Sequence, residues 1–444
     1  MKWIFLAGLM ILTPMLAVWL RGNRRHLPIA AMFLGLLPFL EAKFNITASP
    51  YSWPAWQGIA KGIDLSLMDA VAIAMIVAGG KSRTPVRIKL AMGFYLLAFV
   101  VSTAVAEIKT PSIFYLWTLV RCTLVYYAIA RASAVNKDVP LGLLTGLIGG
   151  LSVQAVVVLS QKATGAVQAT GWFIHQNLLG MTSHFVVYPA FAAFLGGYYN
   201  RRTLLCLGAA FIVAWGGGSR ATLGLLAFGL VLTMILSCRY RMNSRKMTIV
   251  ALGLVCLTAA IPIGLAAIDR RSADIRAGSS EERERMKASA AMIIADYPLG
   301  IGANRYVAVA NVGGYNARAG IAWSSFAALA HNTFYLVTAE MGWLGLFALI
   351  GMLVSVFSLA LSDMARAPPG FSTEYSIGIA VTILMVAAHS YFEWISMLFS
   401  IHILFAMTVG TLVALRGMQP KQGRVAAATS EAARDLQGAV QTPA

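Results

Sequence analysis

The amino-acid sequence predicts an all-α protein, a polytopic bundle of about 12 or 13 transmembrane helices. Of its 444 residues, 59% are hydrophobic and only 12% are charged, about half the charged share of an ordinary soluble domain. A bilayer core of about 30 Å takes about 20 apolar residues per helix, so the chain is long enough for a dozen crossings. These observations disfavour a soluble enzyme.

Apolar runs of helical length follow one another along the chain and define the predicted spans. In order they cover residues 3–20, 27–40, 65–80, 90–106, 112–130, 139–159, 178–197, 203–217, 221–237, 247–268, 331–361, 375–391 and 395–415. The second and eighth runs are short, which suits tilted, re-entrant or half-length helices. The first run is predicted to be a retained helix rather than a signal peptide, because the charged stretch RGNRRH follows it directly.

The formal net charge of +18 suggests an anionic partner, and the position of the charges decides which kind. With the loop at 21–26 in the cytoplasm, most Lys and Arg residues fall on the cytoplasmic side, as the positive-inside rule requires. The loop 269–330 is the exception, because it falls outside and still holds eight basic residues. Topology does not require them there, so they indicate an external anion and not nucleic acid.

We divide the chain into three parts. Residues 1–130 form N-terminal transmembrane helices, and residues 131–415 form a membrane domain that includes the long loop 269–330. Residues 416–444 are rich in Ala, Gln, Ser and Thr, and this composition predicts a disordered cytoplasmic tail.

One stretch of the long loop, SSEERERMKASAAMIIADYP, has the pattern of an amphipathic helix. Ser280 is the predicted N-cap, and Pro298 is predicted to end the helix. We expect it to lie on the outer face of the bundle and to bury Met286, Ala290, Ile293 and Ile294.

Ionisable and amide side chains occur at the predicted outer ends of several spans. Arg220, in GGGSRATLG, lies between the eighth and ninth spans, where a charge is costly enough to need a reason; an arginine reaching for lipid phosphate is the alternative. His331 precedes Asn332 at the start of the eleventh span and is suited either to general base catalysis or to helix capping. The tract GWFIHQNLLG adds His175 and Asn177.

Two further groups complete the predicted outer site. HSYFEW puts His389 and Glu393 four residues apart, on one face near the outer end of the twelfth span. The long loop contributes Arg283, Arg285 and Arg305. Guanidinium groups bind phosphate bidentately, so two or three of them can stabilise a pyrophosphate leaving group without a metal.

No metal or cofactor is predicted. The histidines and the glutamate come from different helices and match no zinc-ligand spacing such as HExxH. The sequence contains no Asp-x-Asp pair, Walker loop, GxGxxG after a strand or GxSxG elbow. The four cysteines lie in apolar stretches or at their inner ends and build no disulfide framework.

Three segments resemble the bacterial O-antigen ligase and O-antigen or exopolysaccharide polymerase superfamily of integral membrane glycosyltransferases. They are SRATLG, RERMKASAAMIIADYPLGIGANRY and HNTFYLVTAEMGWLGL. With GWFIHQN and HSYFE, the likeness covers roughly residues 145–410. Lys287 stands where many relatives have an aromatic residue four positions after the loop arginine, so Arg283 and Arg285 both remain open for that arginine's role.

The resemblance implies a GT-C-like enzyme of lipopolysaccharide or exopolysaccharide biosynthesis, in the bacterial inner membrane with its active site facing the periplasm. It implies an inverting, metal-independent transfer of a glycan from undecaprenyl pyrophosphate to an acceptor sugar hydroxyl. In this scheme Arg220 and Arg283 hold the pyrophosphate, His331 positions or deprotonates the hydroxyl, and Glu393 orients the acceptor or the histidine. The acceptor is lipid A core for a ligase and a lipid-linked oligosaccharide for a polymerase, and the motifs do not separate the two.

Two other classes remain. A transporter or flippase of a lipid-linked substrate predicts charges near the bilayer midplane and internally matched halves, whereas this sequence has its charges at outer ends. A scaffold subunit of an envelope-assembly complex, surrounded by membrane lipids, predicts that substitution of the external histidine is silent.

Overall fold

The computed structural model describes residues 2–44, 46–198, 200–253, 274–366 and 370–418, and these residues form a helical bundle with one small β-hairpin. Within these ranges, nine helices are long and apolar enough to cross a membrane. The predicted all-α polytopic fold is confirmed. Of the predicted tail, residues 416–444, the part beyond Met418 lies outside the described residues.

The elements follow one another in chain order. They are α1 Lys2–Gly22, α2 Leu27–Phe44, β1 Thr47–Ser52, β2 Gly62–Ser66, α3 Leu67–Ala78, α4 Val86–Val105, α5 Thr110–Ser133, α6 Val139–Ala163, α7 Gln176–Leu195, α8 Asn200–Gly217, α9 Arg220–Tyr240, α10 244–253, α11 Asp274–Asp296, α12 Tyr306–Val312, α13 Tyr315–Arg318, α14 Thr333–Arg366, α15 Phe371–Phe392 and α16 Phe399–Met418. Each predicted span coincides with a helix, although the tenth continues outside the described residues. Helices α2, α3 and α8 are not among the nine.

Small residues allow the close approach of α2 and α6. A Cβ atom on Gly146 would lie 1.9 Å from the carbonyl oxygen of Met32, and one on Gly142 would lie 2.1 Å from that of Pro28. The two glycines are four residues apart on one face of α6, the spacing that brings membrane helices into backbone contact.

Arg121 falls inside the fifth predicted span, 112–130, and its charge is neutralised within the bundle. Arg121 is buried, and its Nε donates to both carboxylate oxygens of Asp69 at 2.9 and 3.0 Å. Its Nη2 donates to Ser66 Oγ at 2.7 Å, and the guanidinium lies over the ring of Phe399. These partners satisfy the charge of Arg121, so a structural role in holding α5 against α3 explains why a charged residue lies there.

The β-hairpin packs against the long loop at one end of the bundle, which we call the loop end. Strands β1 and β2 are antiparallel, with Thr47 opposite Ser66. Asn304 of the loop donates through Nδ2 to the carbonyl oxygen of Ala60 at 2.7 Å and to that of Pro111 at 3.0 Å. No strand was predicted from the sequence, because TASPYS and GIDLS are short and lack a clear alternating apolar pattern.

The loop helix α11 differs from prediction at its start and agrees at its end. It is described from Asp274 onward, so Ser280 lies inside the helix and the predicted N-cap is wrong. The helix ends two residues before Pro298, as predicted. Its contact face toward the bundle is confirmed, with Ile294 half-buried and the other three predicted residues buried: Met286, Ala290 and Ile293.

A glycine-rich turn after α11 fits into a break in α14. Gly342 has φ 68° and ψ −173° inside α14, and the interrupted helix presents its backbone to the turn. Gly302 N donates to the carbonyl oxygen of Glu340 at 2.9 Å, and Tyr306 N donates to Oε1 of Glu340 at 3.0 Å. A Cβ on Gly300 would lie 2.5 Å from the same Glu340 carbonyl oxygen, so the turn requires glycine there.

Candidate active site

The carboxylate of Glu393 is the centre of the candidate site. Its side chain is 2% exposed, and three side chains from separate segments donate to it. Oε1 accepts from Asn177 Nδ2 at 2.5 Å and from Arg283 Nη2 at 3.1 Å. Oε2 lies 3.1 Å from His331 Nδ1. We call these four residues the Glu393 cluster.

The segment after His331 is anchored to the end of α15. The side-chain oxygen of Asn332 accepts from the backbone N–H groups of Phe334 and Tyr335, which makes Asn332 the cap of α14. Thr333 Oγ1 donates to the carbonyl oxygen of Glu393 at 2.7 Å. His331 therefore precedes the helix and keeps a side chain that is 20% exposed. Thr333 was not predicted as part of the site.

His175 holds the start of α7 and so positions Asn177. It is the N-cap of α7, and its Nδ1 accepts from the backbone N–H of Asn177 at 3.2 Å. Burial lowers the pKa of His175, and the charges of His331 and Arg283 lower this pKa further, against an opposing effect of Glu393. The neutral imidazole is the form that can accept this hydrogen bond.

The charge of Glu393 determines the tautomer of His331. Burial raises the pKa of the Glu393 carboxyl, but the hydrogen bond from His331 and the charges of His331 and Arg283 outweigh burial, so this pKa lies below its ordinary value. An ionised carboxylate only accepts hydrogen bonds, so Nδ1 of His331 carries a proton. In the neutral imidazole, Nε2 then has a free lone pair. Among the described residues, Nε2 has no hydrogen-bond partner.

The structure separates the two arginines that the sequence left open. Arg283 contacts Glu393, and its side chain is 36% exposed. Arg285 instead forms an ion pair with Glu281 at 2.6 Å and donates to the carbonyl oxygen of Gly320 at 3.0 Å. Arg283 is thus in the cluster and Arg285 is outside it.

The remaining arginines occupy different environments. Arg220 is exposed in the first turn of α9, and it forms no hydrogen bond or ion pair with any part of the chain that the structure describes. The first turn of α9 packs on α7, where a Cβ on Gly180 would meet the side chain of Thr222. Arg305 is buried, donates to the carbonyl oxygen of Ile301 and lies 3.6 Å from Glu107, so its contacts are outside the Glu393 cluster.

His389 does not share a helix face with Glu393, and that prediction is wrong. Helix α15 ends at Phe392, and Glu393 is extended, with φ −143° and ψ 153°. His389 is buried, and its Nδ1 lies 3.2 Å from His184 Nε2. Over the ranges that the structure covers, no three His, Cys, Asp or Glu side chains are grouped as metal ligands.

Residues 203–350 match the family model described as O-antigen ligase. The matched segment contains Arg220, Arg283 and His331, whereas Asn177 and Glu393 lie outside it. No curated protein matches the chain. The family match confirms the resemblance to the O-antigen ligase and polymerase superfamily and, with the nine apolar helices, indicates a multi-pass membrane glycosyltransferase of the ligase or polymerase type.

Proposed function

Because residues 203–350 match the family model described as O-antigen ligase, we propose that the chain transfers a glycan from undecaprenyl pyrophosphate to an acceptor sugar hydroxyl. We assign the acceptor to lipid A core, with a polymerase that uses a lipid-linked oligosaccharide as the alternative. The Glu393 cluster carries the proposal, because it combines a positioned imidazole with a partly exposed guanidinium.

The proposed reaction is a single displacement. The acceptor hydroxyl oxygen attacks the anomeric carbon of the donor, and the bond from that carbon to the pyrophosphate oxygen breaks, with inversion. The hydroxyl proton passes to Nε2 of His331, which is the free nitrogen of the ring. Glu393 holds the ring through Nδ1 and stabilises the imidazolium that forms, as the carboxylate does in a catalytic triad.

Two arginines are assigned to the leaving pyrophosphate. Arg283 uses Nη2 for Glu393 and keeps further N–H donors on a partly exposed side chain, while Arg220 is exposed. Each guanidinium stays charged and presents a planar fork that suits phosphate oxygens. Loss of one donor that stabilises developing charge costs on the order of 10²- to 10³-fold in rate.

An apolar cavity beside the cluster supports a lipid-linked donor. It has a volume of about 490 Å³ and lies among α4, α5, α14, α15 and α16, which is within the range of about 300–1,000 Å³ of small-molecule sites. Thr333 and Ser390 line part of it, and Thr333 also contacts Glu393. An isoprenoid chain in this cavity would have its pyrophosphate close to the cluster.

We place the cluster at the periplasmic face of the inner membrane. The loop end includes the long loop 269–330, which holds eight basic residues. Most other Lys and Arg residues fall on the opposite, cytoplasmic side under the positive-inside rule. Undecaprenyl-linked glycans and lipid A core are both membrane-bound, so the reacting groups meet at the surface where the loop end lies.

The polysaccharide profile of a deletion strain tests this function. For a ligase we expect loss of long O-chains from lipid A with accumulation of lipid-linked polymer. A polymerase instead gives single-repeat capping or no exopolysaccharide. Complementation with His331→Ala and Arg220→Ala should fail, while Arg285→Ala, outside the cluster, should restore the profile. If folded, inserted His331→Ala and Arg220→Ala proteins restore it fully, the assigned chemistry is wrong.

A further inference from the structure

Two exposed aromatic residues lie directly before Glu393. Tyr391 is 56% exposed and Phe392 is 48% exposed, with ring centroids 5.4 Å apart. Their backbone is fixed by residues of the candidate site. Asn332 Nδ2 donates to the carbonyl oxygen of Tyr391 at 2.9 Å, and Arg283 Nη1 lies 3.5 Å from that of Phe392. The backbone that carries the two rings is therefore fixed beside the cluster, and the rings themselves are exposed.

The surroundings of Tyr391 are charged. Nζ of Lys287 lies 5.9 Å from the centre of the Tyr391 ring, and the same ammonium group lies 2.7 Å from Glu284. Both charged residues belong to α11, the loop helix. An aromatic ring that anchors a protein in a bilayer faces acyl chains on one side, whereas this ring has a charged helix next to it. A polar ligand with one apolar face suits such an environment.

A pyranose ring is a ligand of this kind. Its axial C–H groups form an apolar face, and the negative face of an aromatic ring attracts such weakly positive hydrogens. Its hydroxyl groups project from the rim, where they can meet an imidazole or an ammonium group. The carbonyl oxygen of Tyr391 accepts from Asn332, the neighbour of His331, so the backbone of Tyr391 lies next to the segment that carries the group assigned to receive the acceptor proton.

We propose that the ring of Tyr391 is the stacking platform for a sugar of the acceptor, and that it sets acceptor affinity. This inference rests on the proposed function and names the recognition of the second substrate. Stacking places the acceptor hydroxyl beside Nε2 of His331 and leaves the donor pyrophosphate to the arginines.

Kinetics of the purified full-length protein test the assignment. The donor is an undecaprenyl-pyrophosphate-linked glycan, and the acceptor is lipid A core purified from a strain that lacks this gene. Tyr391→Ala should raise the acceptor KM about tenfold with little change in kcat or donor KM. Tyr391→Phe keeps the ring and should behave like the wild type.

Tyr391→Leu separates stacking from membrane anchoring. Leucine keeps an apolar side chain but has no planar face, so stacking predicts a KM as high as that of Tyr391→Ala. Membrane anchoring predicts that the leucine variant keeps the wild-type KM, and this result would overturn the proposal. An equal loss of kcat in the leucine and phenylalanine variants would also overturn it.

Binding without catalysis gives an independent measurement. In a Tyr391→Trp variant, titration with lipid-free core oligosaccharide should shift the indole emission, and the wild-type protein should show no such shift. An unchanged emission contradicts stacking even when the wild-type enzyme is active. A wild-type protein that transfers no glycan to lipid A core refutes the assigned ligase activity itself, so the two failures are distinguishable.

Discussion

Substitution of Glu393 by glutamine tests whether this carboxylate acts through the tautomer of His331. The amide has nearly the size of the carboxylate, so it fits the same buried position. Its oxygen can accept from Asn177 and Arg283 in place of Oε1. Its NH₂ group then faces Nδ1 of His331 and can only donate. Nδ1 must become the acceptor, so the proton moves to Nε2.

The expected loss follows from that reversal. A neutral His331 with a proton on Nε2 has no lone pair for the acceptor hydroxyl, and no carboxylate stabilises the imidazolium. The corresponding Asp→Asn change in a serine protease triad lowers kcat about 10⁴-fold. We expect Glu393→Gln to lower kcat on the order of 10³- to 10⁴-fold, which corresponds to about 4 to 5.5 kcal/mol in the barrier.

A double-mutant cycle gives the control. If Glu393 acts through His331, the double variant Glu393→Gln with His331→Ala should be no slower than His331→Ala alone, because residues that act as a unit are not additive. The assay is glycan transfer to purified lipid A core under donor saturation. Equal rate losses from Glu393→Gln in the wild-type and His331→Ala backgrounds would refute the tautomer argument, as would a variant with full activity.

Three further changes give separate expected outcomes. Arg283→Ala should lower the transfer rate about 10²- to 10³-fold, whereas Arg285→Ala should change it only a few-fold; equal losses would contradict the assignment of the pyrophosphate to Arg283 and not to Arg285. The lowered pKa of His175 means that the folded protein resists protonation there, so stability should fall as pH drops below about 6.5. His175→Asn keeps a capping oxygen and should reduce the difference in thermal midpoint between about pH 8 and pH 5.5, and an unchanged difference would disprove this role. Gly300→Ala should destabilise the protein by about 1–3 kcal/mol beyond Gly320→Ala, because both have positive φ but only Gly300 faces a close backbone atom; similar melting temperatures would refute the steric argument.

The helices could be predicted from the sequence because a helix that crosses a bilayer needs a long run of apolar residues. A long apolar run favours a membrane helix whatever its neighbours, and each predicted span coincides with a helix over its described residues. The β-hairpin has no comparable apolar pattern in the sequence. The connection between its strands is held by Asn304, which lies more than 200 residues further along the chain, so no local sequence pattern contains this partner. The start of α11 was missed for the opposite reason, since Ser280 is a good cap by type but lies within a helix that begins earlier.

The residues of the site were predicted from the sequence more successfully than the contacts between them. Polar groups at the ends of membrane helices are costly to bury unless they have polar partners, and the structure brings Asn177, Arg283, His331 and Glu393 together. Choosing between Arg283 and Arg285 required the rotation of α11 against the bundle, which the sequence does not contain. The relation of His389 to Glu393 failed because it assumed that α15 continues through Glu393.

The segments that resemble the family contain two kinds of residue: glycines that shape the backbone, and side chains that are proposed to act on substrate. The turn after α11 and the break in α14 are joined backbone to backbone, through Gly302 and the Glu340 carbonyl oxygen, and the glycines there fill positions where a Cβ would clash. This joint connects the loop that carries Arg283 to the helix that follows His331. The glycine motifs thus support the site geometry, while the proposed function assigns the action on substrate to the guanidinium and the imidazole. Substitutions in the joint should therefore lower stability and transfer together. His331→Ala should instead remove transfer from a protein whose melting temperature is nearly unchanged, because the partly exposed His331 makes a single side-chain hydrogen bond within the described chain.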